Sequence, residues 1–237
     1  MPKQKGDNAP HVLAGDPPVE VHLRRSAQAR RLSLRVSGLD AKVTLTLPNG
    51  VAERQGLAFA AEKAEWLRRQ IASRPEVVDV GIGCELPIYG LPHQVLAGQG
   101  RRIVVRDQQI LVPGNPETAG RRLAAFLKAL AREQLAAASD RYAADLKRPY
   151  SRISLRDTRS RWGSCSSAGV LMYSWRLVMA PMEVLEYVAA HEVAHLRHMD
   201  HSAAFWRQVE ELYGDYSAAR GWLRENGSEL HRYRFGN

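Results

Sequence analysis

The sequence predicts an α+β protein: a β-rich N-terminal half, then a mainly helical half holding one short antiparallel strand pair. Two observations carry this. Apolar residues alternate with polar ones in Val19/Val21/Leu23, Leu32/Leu34/Val36 and Val43/Leu45/Leu47, the period-two spacing of half-buried strands. Beyond the breaker cluster Pro113-Gly114-Asn115-Pro116 the spacing turns helical, with Leu123, Leu127, Leu130, Leu135, Tyr142 and Leu146 on one face. The predicted organisation is a flexible tail over residues 1–18, a β-rich part over 19–112 and a helical domain over 117–237.

Each element has its own signal. The tail is rich in Pro, Gly, Ala and charge. Ser37-Gly38-Leu39-Asp40 supplies a turn before the strand at Val43, and Pro48-Asn49-Gly50 ends the sheet segment. Leu57, Ala60, Ala61, Ala64 and Leu67 share one helical stripe, Trp66 adds a large apolar body, and Pro75 stops that helix. Short strands follow at Leu86-Pro87-Ile88-Tyr89-Gly90, Ile103-Val104-Val105 and Ile110-Leu111-Val112. In the second half the long helix ends at Pro149. A strand pair over about 152–165 and 170–178 is joined by Ser166-Ser167-Ala168-Gly169. Pro181 sits near the first turn of the next helix, whose buried face holds Val184, Leu185 and Val188. Two more helices are expected near 202–213 and 216–225, with Gly227 as a cap.

Composition narrows the function. The 237 residues are 45% hydrophobic and 25% charged, which excludes a fibrous or wholly disordered chain. No secretory signal opens the chain, and no apolar run approaches the roughly 20 residues that span a bilayer. A cytoplasmic protein without a membrane partner is expected. Two cysteines, Cys84 and Cys165, make neither a disulfide framework nor a zinc knuckle. The net charge of +9 favours anionic partners, nucleotide or nucleic acid among them. Arg24, Arg25, Arg30, Arg31 and Arg35 form one basic stretch; Lys147, Arg148, Arg152, Arg156, Arg159 and Arg161 form another. Solvated strand faces account for both equally well.

The chemistry concentrates in His191-Glu192-Val193-Ala194-His195, an H-E-x-x-H motif. On a helix, positions i and i+4 lie on one face, so two imidazoles can hold one zinc ion. Glu192 then sits beside a zinc-activated water and can act as general base. A catalytic zinc wants a third protein ligand and an open position. Seven residues of straight helix rise about 10.5 Å, which carries His198 too far from His191. His201 reaches the metal if the helix ends near Met199-Asp200 and the chain turns back, with Asp200 or Ser202 starting the next helix. Glu210 and Glu211 are rival third ligands.

Two blocks resemble the YgjP-like metallopeptidases, relatives of the SprT-like zinc proteases. One is Ser160-Arg161-Trp162-Gly163-Ser164-Cys165-Ser166-Ser167, followed by Trp175-Arg176-Leu177 and Ala180-Pro181. The other is His191-Glu192-x-x-His195 with His201-Ser202 and Phe205-Trp206. The likeness extends over roughly residues 19–235. It implies a zincin-like metallopeptidase domain, Zn2+ as cofactor, and the histidine of the His-Ser pair, His201, as third ligand.

The leading expectation is a zinc peptidase acting on peptide or unfolded protein, with Glu192 catalytic and His191, His195 and His201 on the metal. Residues 171–175 are the expected edge strand for pairing with an extended substrate. Arg161, Tyr173 and Arg176 are candidate substrate or oxyanion contacts. Trp162, Trp175, Phe205 and Trp206 read as core or pocket wall. The resemblance allows two alternatives, a metal-dependent nucleoside triphosphate pyrophosphatase and a DNA-associated SprT-like protease. No G-x-x-x-x-G-K phosphate loop supports the first. The sequence assigns no oligomeric state.

Overall fold

The alternating segments at the N-terminus become a four-stranded sheet: β1 (His11–Leu13), β2 (Val19–Ser26), β3 (Ser33–Val36) and β4 (Val43–Pro48). The order is β1-β2-β4-β3, with β2 and β4 parallel and each outer strand antiparallel to its neighbour. The structure, a computed structural model, describes residues 9–37, 41–72 and 76–236. Residues 1–8 of the expected tail, 38–40 of the expected turn and Pro75 lie outside the described residues. Residues 9–18 correct the expected tail. They hold β1, whose His11 pairs with Val21 and sets its ring nitrogen 2.8 Å from Glu53.

The expected single helix is two, α1 (Glu53–Glu62) and α2 (Ala64–Ala72), interrupted at Lys63. Gly56 lets α1 approach β4, since a Cβ there would lie 2.6 Å from Leu47 Cδ2. Ala60 and Leu67 complete a core with Val19, Val21, Val43, Leu45 and Leu47. Trp66 stays 38% exposed.

This first unit ends at Glu76, and a second runs from Val77. The boundary differs from the predicted one. The strands near 80–112 belong to the second unit, as β5 (Val78–Asp79), β6 (Glu85–Ile88), β7 (Leu91–Gly98), β8 (Val104–Arg106) and β9 (Gln109–Pro113). The last four form a sheet ordered β6-β7-β9-β8. Its Leu86, Ile88, Val95, Ile110 and Val112 share a core with Leu123, Leu127, Ala131 and Leu135 of α3 (Ala119–Leu146). Alternation reveals that one sheet face is buried but not which element covers it.

Next come β10 (Arg152–Arg156), β11 (Gly163–Cys165) and β12 (Val170–Ser174), ordered β10-β12-β11. The expected antiparallel pair is β11 with β12, and β10 adds a parallel strand on the other side. The expected edge strand at 171–175 is therefore central. Leu171, Met172, Tyr173 and Ser174 are buried, and Trp175 already belongs to a 3-10 helix (Trp175–Met179). A run covered on both faces and both edges is a central strand; the edges here are β10 and β11. Three helices follow, α4 (Met182–Ala194), α5 (Ala203–Tyr213) and α6 (Ser217–Asn226). The short β13 (Tyr233–Arg234) returns to pair with β5. Gly120 makes room for that return, because a Cβ would lie 2.5 Å from the Val80 carbonyl oxygen and 2.8 Å from that of Phe235.

Candidate active site

Helix α4 is apolar around most of its circumference: Val184, Leu185, Tyr187, Val188, Ala189, Ala190, Val193 and Ala194 are all buried. It is held by tertiary packing; its last turn carries His191 and the buried Glu192, and His195, also buried, is its C-cap. The helix ends at Ala194, earlier than expected. The amides of Leu196, Arg197 and His198 fold back onto the carbonyls of Val193 and Ala194. Arg197 anchors the reversal, bonding Gln208 at 2.6 Å and the Leu146 carbonyl at 2.9 Å. Ser202 then caps α5 by accepting from the Phe205 amide, which sets His201 just before the cap.

This turn brings three histidines together. One ring nitrogen from each of His191, His195 and His201 lies within 4.8 Å of the other two. Nε2 of His201 and Nε2 of His191 are 3.2 Å apart. Two nitrogens bound to one tetrahedral zinc at 2.0–2.1 Å would be about 3.3 Å apart, so the spacing fits a shared metal. His195 Nδ1 lies 2.8 Å from the His198 carbonyl oxygen. Donating there leaves Nε2 as the free lone pair, a common way of orienting a ligating histidine. His198 thus contributes its backbone. Phe205 stacks on the His195 ring at 4.3 Å, and Trp206 lies 5.7 Å from His201. His191 Nδ1 is buried with no hydrogen-bond partner. Burial and the neighbouring histidines pull His191 down to about 3, and burial lowers His195 as well. Neutral imidazole is the ligating form, so the donor set suits zinc. Glu210 and Glu211 do not join the cluster; Glu211 accepts from Gln208 at 2.9 Å.

Glu192 is 5% exposed. Burial pushes its carboxyl up to about 8, with Arg161 opposing; a dication at the histidines would lower it again. Edge strand β11 lies directly against it. A Cβ on Gly163 would stand 2.4 Å from Glu192 Oε1 and 2.7 Å from its Cδ. This contact accounts for glycine in the Arg161-Trp162-Gly163-Ser164 block. Trp162 stacks on His231 at 5.3 Å and lies over Gly227. Cys165, on the same strand, is held as a neutral thiol, raised to about 11 by burial and the Glu192 charge.

The three expected substrate contacts separate. Arg161 is exposed and its charge reaches Glu192. Tyr173 is fully buried, its hydroxyl 3.0 Å from Ser139 Oγ. Arg176 is 8% exposed. It binds Asp157 through Nε and Nη2 at 2.7 and 3.1 Å, and the Leu230 and Tyr233 carbonyls through Nη1. The structure commits Tyr173 and Arg176 to the interior instead of to substrate. Arg176→Ala would leave two carbonyls and Asp157 unpaired. It is expected to cost about 2–3 kcal/mol of stability, read as a lower midpoint of thermal unfolding. The kcat/KM of the protein that remains folded should stay within a few-fold of wild type; a selective loss of kcat would instead put Arg176 at the substrate.

Sequence reasoning missed Arg220. Its guanidinium lies 4.6 Å above the Trp206 ring, and its charge helps lower His191. Nothing in its spacing distinguishes it from the other basic residues of the chain.

Residues 30–226 match the family described as YgjP-like, metallopeptidase domain. The chain belongs to this YgjP-like metallopeptidase family. Among solved structures, the crystal structure of the metallopeptidase zymogen of Pyrococcus abyssi abylysin is similar. It has 24% identity, covers 44% of this chain and 97% of its own, and has a TM-score of 0.35. A search of curated proteins gave no match. Among the described residues, no helix of this YgjP-like protein is long and apolar enough to cross a membrane.

Proposed function

We propose that this metallopeptidase is zinc-dependent and cleaves peptide bonds in extended or unfolded polypeptide, with Glu192 as general base. The observation that carries the reading is the convergence of His191, His195 and His201 within 4.8 Å beside the buried Glu192. When bound, zinc supplies Lewis acidity that polarises the scissile carbonyl and acidifies water. Glu192 takes one proton from the attacking water and delivers it to the leaving amine nitrogen, ending unprotonated. Arg161 and Arg220 place positive charge near the site, where it can offset the developing oxyanion. Strand β11, at a sheet edge and against Glu192, offers its outer edge to an extended substrate, in the place the sequence assigned to 171–175.

The test is casein cleavage by the purified chain with 1,10-phenanthroline, then with zinc restored. Loss and recovery together are expected. Zinc-dependent diphosphate release from a nucleoside triphosphate, with casein left intact, would replace this reading with the pyrophosphatase one.

A further inference from the structure

A hollow opens beside His195. Its walls are His195 and Leu196 on one side, the Ser166–Gly169 turn that ends β11 on another, and residues 148–151 after α3 on a third; its volume is about 530 Å³. The β11–β12 turn is closed by the Gly169 amide on the Ser166 carbonyl at 2.9 Å, with Gly169 at φ 71°. The third wall is held by the Ser151 amide, which donates to the Gly169 carbonyl at 2.8 Å.

Besides the His195 imidazole, which belongs to the histidine cluster, Arg148 is the one charged side chain lining this hollow. Its amide closes the end of α3 on the Ala143 carbonyl, after Lys147 in the left-handed conformation. Its guanidinium makes no ion pair or side-chain hydrogen bond among the described residues. Ser166 Oγ accepts from the Val170 amide at 3.1 Å, which leaves its hydroxyl proton free to donate. Tyr150 spends its own proton on Asp140. An unpaired cation on an anchored backbone, with a free hydroxyl donor beside it and no carboxylate on the walls, is the complement of a carboxylate.

We infer that this hollow is a specificity pocket for an acidic side chain, Asp or Glu, of the polypeptide substrate, held by Arg148 and Ser166. The inference rests on the peptidase reading, because a chain paired along β11 runs to the turn that forms the pocket wall. The hollow admits a glutamate side chain with accompanying water.

Mass-spectrometric mapping of casein fragments tests it. Asp and Glu should be enriched at one fixed position relative to the cleaved bond. Arg148→Ala should lower kcat/KM for a peptide acidic at that position roughly tenfold more than for the matching amide peptide. Arg148→Glu should turn the preference towards Lys and Arg. Calorimetric binding of the same peptide pair to Glu192→Gln protein with zinc, with and without Arg148→Ala, gives a readout free of turnover. Cleavage with no acidic preference, or with one indifferent to Arg148, overturns the pocket and leaves the peptidase reading standing. So does competition by inorganic phosphate at Arg148 without any acidic preference in cleavage. Arg148-dependent binding of the acidic peptide without cleavage by wild type does the reverse. Neither cleavage nor selective binding overturns both.

Discussion

Glutamine in place of Glu192 is expected to lower kcat for peptide cleavage by roughly 10²–10⁴-fold while the protein keeps its fold and its metal. The amide matches the carboxylate in size but cannot accept a proton from water. Burial already disfavours the charge on Glu192, so removing it imposes no new desolvation cost. The three histidine nitrogens are untouched, so bound zinc measured by atomic emission should equal that of wild type. His201→Ala is the complementary variant. It deletes one of the three clustered donors, so metal content and activity should fall together. A Gln variant that keeps activity within about tenfold of wild type would remove Glu192 from the role of base.

Gly163→Ala is the second large effect. The added methyl would lie 2.4–2.7 Å from Oε1, Cγ and Cδ of Glu192, so either β11 or the carboxylate must move. A loss of about 1–3 kcal/mol is expected, as for an overpacked core site, together with a loss of activity through the displaced Glu192. Gly163 is absent from the residues with positive φ, so the cost is steric contact and not backbone strain. A double-mutant cycle isolates it. In a Glu192→Ala background the clashing atoms are gone, and Gly163→Ala should become nearly neutral in thermal unfolding. An equal loss in both backgrounds would place the cost in strand β11 itself.

The linear signals of this chain are short-range, and what they determined is short-range. Alternation at Val19, Val21, Val43 and Leu45 marked strands that are strands, because period two dictates which side chains face a core. The spacing of His191 and His195 put two imidazoles on one helical face for the same reason. His201 was reachable because a polar stretch followed by a serine cap reads as a turn into a new helix. The α+β class was legible from these local patterns alone.

Tertiary structure decided the rest. It assigned the strands near 80–112 to α3, since a half-buried face carries no label for its partner. It made residues 170–174 central instead of an edge, since an apolar run does not say what lies beside it. It turned Tyr173 and Arg176 inward, onto Ser139 and onto Asp157 with two carbonyls, all 19 or more positions away. It set Gly163 against Glu192 and Arg148 near His195. Each of these is a contact between residues distant in the chain. Such contacts depend on how whole elements pack, and spacing along a sequence encodes only what lies within one of them.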